Sequence, residues 1–340
     1  MKATIRDIAR ATGVSAMSVS AVLNGSGSNV KVSKDKADEI RRVAQELHYR
    51  PNSIARSLRN RRSDMIGVVF QHFDSFADER PYYPQLLNGV MAALFPAGYT
   101  LALCPRLILG GDSGSVSDGR FDGILWCRPD LTEESTESIK TSSVPVVMMH
   151  APPGTIPGVP TFCADNESAL RTAVNHLRDL GHERIAFLID PVNEHTLEGV
   201  TRKLAFQSAI EASELIGDVL IWDKKSFPFG NYATEKPPHT GLICFSDTVA
   251  GELLTACRRA EIDVPGQISV IGFDSSPFCE GTRPRLTSLN QPVERMAFAA
   301  TNHLLSLIRK EREQVVPATT VSHIYDCGLD LRESTGPVHV

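Results

Sequence analysis

The chain has 340 residues, 42% of them hydrophobic, which is enough for two or three packed units and argues against overall disorder. It contains no apolar run of about 18 residues and no apolar signal core near its start, so we expect a cytoplasmic protein that neither spans a membrane nor is exported. Residues 1–62 hold 13 Lys/Arg and 5 Asp/Glu, a net charge of +8, whereas the remainder holds 22 and 35, a net charge of −13. A basic head on an acidic body favours polyanion binding by the head, although such a charge run can also be a solvated face.

The seven cysteines are scattered, with no CxxC pair and no histidine at metal-ligand spacing. We therefore expect buried, reduced thiols. We predict no metal site, no cofactor and no catalytic group.

Residues 4–24 predict two short helices joined by a turn. Thr4 can cap the first helix with Asp7 as the acid of a capping box, and Gly13 can take the positive φ that the turn needs. Ser15 can cap the second helix. The inward residues of that helix would be Val19, Val22 and Leu23, and the outward ones Ala16, Met17, Ser18 and Ala21. This pattern is typical of a helix-turn-helix that presents its second helix to the DNA major groove, with an ordinary helical hairpin as the alternative.

A third helix is predicted after Ser33, which can cap it. Apolar residues then keep helical spacing at Ala37, Ile40, Val43, Ala44 and Leu47. A short basic helix follows from Pro51 to about Leu58, with Ala55 and Leu58 on the same face as arginines. A plain linker is the alternative there, but linkers seldom carry such an apolar pair.

From residue 65 onwards, short apolar segments alternate with helical patterns, which indicates an α/β fold with parallel sheets. The alternation occurs twice, over residues 65–150 and 184–274, so we predict two lobes beside a cleft. The predicted strands are residues 65–70, 99–104, 121–126, 144–150, 184–190, 240–247 and 268–274, followed by a crossing strand and a long helix within 284–308.

Polar and aromatic residues follow several of these strands. Ligands of open α/β sheets bind beyond the carboxyl ends of the strands, so these residues are candidate ligand contacts. They are Gln71, Phe73, His150, Asp190, Ser246, Asp247 and Asp274. For each of them a strand-end cap or a surface salt bridge is the alternative role.

Several sequence blocks resemble one family. TIRDIARATGVS, ELHYRPNSIARSLR and MIGVVF, and later LRDLGHERIAF, VPGQISVIGFD and PRLTSLNQPVERM, are similar to blocks of the lactose-repressor and purine-repressor family of bacterial transcription regulators. The resemblance implies an α/β protein with an N-terminal three-helix helix-turn-helix head and a hinge helix, followed by a two-lobed, periplasmic-binding-protein-like core with parallel sheets. The implied boundaries are 1–48 for the head, 49–63 for the hinge and 64–335 for the core, with one lobe at 64–161 plus 290–320 and the other at 162–289 plus 321–335.

The resemblance also implies how the head meets double-stranded DNA. The hinge helix of the family folds on DNA and wedges a leucine into the minor groove, a role that falls on Leu58, with Ala55 beside it. The candidate DNA contacts are Thr4, Ser15, Ala16, Met17, Ser18, Ser20, Ala21, Asn24, Asn29, Ala55 and Leu58.

The family resemblance sharpens the ligand candidates in the core. Arg202 stands where the family has an effector-binding arginine, a fork able to hold a carboxylate or vicinal hydroxyls. Asp274 stands where the family has an acid that accepts hydrogen bonds from sugar hydroxyls, and Ser246 and Gln291 would add neutral contacts. The candidate effector contacts are Gln71, Phe73, His150, Arg202, Ser246, Asp247, Asp274 and Gln291.

Several features depart from the family. The segments between Cys104 and Phe121 and between Asp218 and Thr240 are short, and alanines replace family glycines at 169 and 205. At the positions that commonly read bases stand Ala16, Met17 and Ala21, none of which makes a bidentate hydrogen bond to a base. We therefore expect DNA shape and the central kink to supply much of the sequence specificity.

We weigh three other functions against that of a regulator. A hydrolase would use Ser113 within GDSG, but no strand-turn-helix elbow surrounds this serine. An exported sugar-binding protein would carry a signal peptide and no basic head. A DNA-binding protein whose shortened core only dimerises is the strongest rival. The sequence favours a cytoplasmic, homodimeric, ligand-responsive repressor of sugar-related genes that binds a palindromic operator and a small-molecule effector, with a sugar or a derivative as the favoured class.

Overall fold

The computed structural model describes residues 3–24, 31–50, 62–70, 82–104, 119–127, 130–223, 227–234, 236–312 and 322–338. The chain divides into two compact units, Met1–Ser63 and Asp64–Val340. Within the described ranges, no helix is long and apolar enough to cross a membrane. Most of the predicted hinge helix, including Ala55 and Leu58, lies outside the described residues, as does Ser113.

The first unit contains three helices, α1 (Ile5–Thr12), α2 (Ala16–Asn24) and α3 (Lys34–Glu46). They enclose a small apolar core, in which the fully buried side chains are Ile8, Val19 and Ile40. The three helices confirm the predicted head, and the inward-facing Val19 marks the side of α2 that packs on its neighbours.

The predicted capping residues of the head are confirmed. The backbone N–H of Thr4 donates to Asp7 Oδ2 at 2.9 Å, and the Thr4 hydroxyl accepts from the Asp7 N–H at 3.4 Å. Gly13 ends α1 with φ +65°, and Ser15 Oγ accepts from the Ser18 N–H at 3.1 Å. Leu47 differs from the prediction: it is 40% exposed, because α3 ends at Glu46 and Leu47 serves as the C-cap.

The first lobe of the second unit is a six-stranded parallel sheet in the order β2-β1-β3-β4-β5-β11. Its strands are β1 (Met65–Val69), β2 (Thr100–Leu103), β3 (Gly123–Trp126), β4 (Val146–Met149), β5 (Thr161–Ala164) and β11 (Ser322–Tyr325). The helices are α4 (Tyr82–Leu94), α5 (Glu133–Lys140) and α11 (Val293–Arg312). Side chains of α4 and α11 share one apolar core with the sheet.

The second lobe has the sheet order β7-β6-β8-β9-β10-β12, in which β12 alone runs antiparallel to its neighbour among the described strands. Its strands are β6 (Arg184–Ile189), β7 (Ile216–Ile221), β8 (Gly241–Cys244), β9 (Ser269–Phe273), β10 (Thr287–Asn290) and β12 (Gly328–Asp330). Its helices are α6 (Asn166–Asp179), α7 (Leu197–Ser213), α8 (Phe229–Tyr232), α9 (Asp247–Arg259) and α10 (Phe278–Gly281). Two apolar cores cover the two faces of this sheet.

The lobe boundaries differ from the prediction at two strands. Residues 162–164 begin no helix; they continue β5 of the first lobe, and β11 pairs beside β5 rather than in the second lobe. The chain therefore crosses between the lobes three times, at 164–166, 290–293 and 325–328. The pairing of β11 with β5 joins residues more than 150 positions apart, a relation that no local pattern contains.

The shortened segment 218–240 packs aromatic side chains instead of forming a long helix. The ring centroids of Trp222 and Phe227 are 5.2 Å apart, and those of Phe227 and Tyr232 are 5.1 Å apart. All three side chains are buried in one core of the second lobe. Burial of these rings supplies apolar area at a place where the sequence offers no clear amphipathic helix.

Candidate functional site

The outward face of α2 is small and largely apolar. Ser15 and Ala16 are exposed, Met17 is 69% exposed, and Ser18 and Ala21 are half-buried. The hydroxyl groups of Ser15 and Ser18 are 2.9 Å apart and hydrogen-bond to each other. The face therefore offers methyl groups, a thioether and two hydroxyls, as the sequence predicts for a helix without bidentate base-reading groups.

Two predicted DNA contacts in this region have restricted side chains. Ser20 is only 5% exposed, beside the buried Val19, and its DNA contact stays a prediction. Thr4 is exposed, but its hydroxyl donates to Asp7 Oδ2 at 2.7 Å within the capping box. The side chain of Asn24 and the whole of Asn29 lie outside the described residues.

A cavity of about 130 Å³ is lined by residues of both lobes of the second unit. The first lobe contributes Tyr82, Tyr83, Cys127 and His150. Of the predicted effector contacts, the structure brings together His150, Arg202, Ser246, Asp274 and Gln291. His150, Ser246 and Asp274 follow β4, β8 and β9, so the strand-end rule that selected them brings them to one cavity; Gln291, which the family resemblance supplied, follows β10.

The guanidinium of Arg202 is buried and extensively hydrogen-bonded. Its Nε donates to Asn166 Oδ1 at 3.1 Å and its Nη1 to the Phe245 carbonyl at 2.5 Å. Its Nη2 donates to Glu198 Oε1 at 2.7 Å and to Gln291 Oε1 at 2.9 Å. The carbon of the guanidinium lies 3.5 Å from the centroid of the Phe273 ring, a cation–π contact. Four of the five N–H groups are therefore used inside the protein.

Glu198, which is absent from the predicted effector contacts, links Arg202 to the first lobe. Its Oε1 lies 3.5 Å from Nδ1 of His150, close enough for charge attraction but long for a direct hydrogen bond. His150 Nε2 in turn shares a hydrogen bond with the Tyr82 hydroxyl. Burial works to raise the pKa of Glu198, but the charges of Arg202 and His150 outweigh burial and lower it to about 2. Glu198 is thus an ionised carboxylate at neutral pH.

Gln291 and Asp274 both line the cavity, and Gln291 has an unsatisfied group. Arg202 orients the amide of Gln291. Because a guanidinium only donates hydrogen bonds, the amide oxygen Oε1 faces Arg202 and the amide nitrogen Nε2 is directed away from it. This Nε2 is buried and has no hydrogen-bond partner among the described residues. Burial, with Asp247 and Glu198 nearby, raises the pKa of Asp274 well above its usual range. A carboxyl group so placed gains most from a ligand that donates to it.

Asp247 and Asp190 support the loops around the cavity rather than lining it. Asp247 is fully buried, and its carboxylate accepts from the Ser276 N–H and hydroxyl, both at 2.8 Å, and from the Ser288 hydroxyl at 2.5 Å. Asp190 accepts from Asn193 in the turn before α7. Ser246 lines the cavity while its hydroxyl caps α9 by accepting from the Val249 N–H at 3.3 Å. Gln71 and Phe73 lie outside the described residues.

One signal could have revealed Glu198. It precedes Arg202 by four residues, the spacing that places an acid and an arginine on one face of a helix. Asn166 and Tyr82 carry no comparable signal, because they meet this site only through the pairing of distant strands. Within the described residues, no group of three His, Cys, Asp or Glu side chains is placed to hold a metal ion.

Comparison with known proteins agrees with this architecture. A family model described as bacterial regulatory proteins, lacI family, matches residues 4–52, and one described as periplasmic binding protein-like domain matches residues 174–335. The chain is 31% identical over 336 residues to the HTH-type transcriptional repressor PurR of Vibrio parahaemolyticus, with 92% of this chain and 95% of the relative covered. It is 28% identical to catabolite control protein A of Priestia megaterium, with 92% and 94% covered.

Solved structures show the same fold. The lac repressor dimer bound to operator and the anti-inducer ONPF matches with a TM-score of 0.79 at 21% identity, covering 99% of this chain and 100% of that chain. The complex of the transcriptional regulator CelR with cellobiose matches with a TM-score of 0.68 at 24% identity, covering 98% and 99%. The chain therefore belongs to the lacI family of bacterial regulatory proteins and is a DNA-binding transcriptional repressor rather than an enzyme.

Proposed function

We propose that this repressor is ligand-responsive and that a small polar metabolite, a sugar or a derivative, binds in the cavity between the lobes. The observation that carries the proposal is the buried Gln291 Nε2, which lines this cavity without a partner among the described residues. A buried donor without an acceptor is costly, and a bound ligand would satisfy it. The complex of CelR with cellobiose, a sugar, supports a sugar as the class of ligand.

The ligand acts on DNA binding by preferring one arrangement of the two lobes. Its effect on DNA affinity is limited to the difference between its affinities for the two arrangements. Residues of both lobes line the cavity, as His150 and Arg202 illustrate. A ligand there would contact both lobes, so its affinity would depend on how the lobes are arranged.

On the DNA side, we propose a cytoplasmic homodimer that places one head on each half of a palindromic operator. The exposed residues Ala16 and Met17 suit apolar contact with thymine methyl groups, and Ser15 and Ser18 suit phosphate or base contacts. Ala55 and Leu58 would act at the central kink, where DNA deformability contributes to specificity. The alternative is a DNA-binding regulator whose core dimerises but binds no small effector.

A thermal-shift screen of sugars and nucleobases on the purified full-length chain tests the proposal. A true ligand at 100 times its Kd should stabilise the protein by about 2.7 kcal/mol and should change affinity for a DNA site selected from random sequence. Asp274→Asn, which keeps the size of the side chain, should abolish most of the shift. If no compound stabilises the protein, the core that only dimerises becomes the better function.

A further inference from the structure

The arginine of the cavity is already paired with a carboxylate side chain of the protein itself. Glu198 Oε1 and Arg202 Nη2 are 2.7 Å apart, with the arginine side chain 2% and the glutamate side chain 11% exposed. The second N–H of Nη2 donates to Gln291. The charged edge of the guanidinium that would grip a carboxylate or a phosphate is therefore occupied by a side chain of the protein.

The charges around this pair are unfavourable for a second anion. Among the described residues that line the cavity, Arg202 is the single Lys or Arg, whereas two carboxyl groups, Glu198 and Asp274, face the same space. An entering carboxylate or phosphate ester would have to displace the ionised Glu198 from Arg202 or lie beside its negative charge. Like charges in a site of low dielectric repel strongly, so either course opposes binding.

The remaining polar groups suit a ligand without negative charge. Asp274 follows β9 and lines the cavity, where its carboxyl group can accept from a hydroxyl or an ammonium group. Gln291 Nε2 needs an acceptor, which a hydroxyl or ring oxygen supplies. Phe245 provides an apolar wall beside them, as sites for sugars and related small molecules commonly have.

We propose that Glu198 determines the charge of the effector: as the internal counter-ion of Arg202, it restricts the cavity to uncharged or cationic polar molecules and rejects carboxylates and phosphate esters. This inference rests on the proposed function, because it assumes that the cavity binds an effector. It differs from the expectation that the Arg202 fork itself binds the effector, through a carboxylate or through vicinal hydroxyls.

The test is a titration of the full-length protein with compounds that share one sugar ring and differ in the charge of a single substituent. For glucose and for galactose, the series comprises the neutral sugar, the 2-amino sugar, the uronate and the 6-phosphate. Isothermal titration calorimetry measures the Kd of each compound. For every ring that binds, we expect the neutral or amino form to bind at least about tenfold more tightly than both anionic forms. An anionic form that binds as tightly as its neutral partner would overturn the inference while leaving the proposed function intact.

The Glu198→Gln variant identifies the residue responsible. It removes the negative charge and keeps a hydrogen-bond acceptor for Arg202, so the preference for neutral over anionic forms should fall to about threefold or less. Glu211→Gln, at an exposed position of α7, is the matched control and should keep the preference of the wild type. An unchanged preference in Glu198→Gln would refute the role of Glu198. If this variant does not fold, the wild-type series still decides whether anions are rejected, and binding of no compound at all would count against the proposed function.

Discussion

Arg202 connects two of the three places where the chain crosses between the lobes. Its Nε donates to Asn166, which lies in the crossing at 164–166, and its Nη2 donates to Gln291, which lies in the crossing at 290–293. A buried arginine is tolerated here because its N–H groups find acceptors and Glu198 balances its charge. One side chain thus holds the crossing segments together and also forms a wall of the cavity.

The same ion pair predicts a pH-dependent contribution to stability. The pKa of Glu198 is about 2 in the folded chain, below its usual value of 4.5. A carboxyl group with a lowered pKa stabilises the fold above the unfolded value, and this stabilisation is lost as the pH falls towards the folded value. Glu198→Gln should therefore lower the free energy of unfolding by roughly 2–3 kcal/mol at pH 7.

Urea unfolding of Glu198→Gln and wild type at pH 7, 5 and 3.5 measures this contribution. The difference between the two proteins should stay nearly constant from pH 7 to 5 and shrink at pH 3.5, because Glu198 is then largely protonated in the unfolded chain while it stays ionised in the folded one. Glu211→Gln should show little difference at any of these pH values. A difference for Glu198→Gln that grows as the pH falls would contradict the assigned pKa direction.

At the scale of elements, the packing of α4 against α11 in the first lobe depends on Gly89. A Cβ atom at residue 89 would overlap the Glu294 carbonyl oxygen and lie 2.9 Å from Ala297 Cβ. Gly89→Ala should therefore push the helices apart and destabilise the protein by about 3 kcal/mol, although alanine favours helices by itself. The measurement is the urea midpoint of the full-length chain.

Gly281→Ala is the control for the helix-packing prediction. A Cβ atom at Gly281, the last residue of α10, would have no neighbour within 4 Å. This variant should change stability by less than about 0.5 kcal/mol. Equal losses in the two variants would show that the contact between α4 and α11 is not the cause.

Elements with a strong local pattern were predictable from the sequence, and four short strands were not. The caps at Thr4, Ser15 and Ser33 and the turn at Gly13 follow from side-chain chemistry and positive φ, and they are confirmed. The strands β5, β7, β11 and β12 were missed. Each has only three to six residues, and β11 and β12 form by pairing with strands far away in the sequence. Such short segments owe their conformation to tertiary partners.

The cavity was predictable in its strand-end residues but not in its charge. His150, Asp274 and Gln291 follow strands, so topology alone brings them together. The group that accepts hydrogen bonds from Arg202 depends on side-chain geometry. The family resemblance implies a ligand in this role, whereas the structure shows Glu198. Ser20 stays a predicted contact: it is only 5% exposed beside the buried Val19, and helical spacing leaves such border positions undecided.

At the scale of the whole molecule, the charge of the two units differs in sign, with +8 over residues 1–62 and −13 over the remainder. Part of the positive charge is already paired on α3, where Arg41 contacts Asp38 and Arg42 contacts Glu46, both pairs exposed. Exposed pairs of this kind are weak and compete poorly with phosphates. The head therefore keeps a net positive charge that attracts DNA, whereas the net negative charge of the body is repelled by DNA.

This division predicts a steep salt dependence of DNA binding. If each operator complex neutralises six or more phosphates, the binding constant should fall at least roughly a thousandfold between 50 and 200 mM salt. The cause is that counterions released from the DNA gain less entropy when the surrounding salt concentration is higher. Fluorescence anisotropy with a selected DNA site over this range measures the slope. Lys140→Gln, an exposed change in the acidic body, should leave the slope unchanged. A flat response of the wild type would contradict phosphate binding by the basic head, and a reduced slope in Lys140→Gln would place part of the DNA surface on the body.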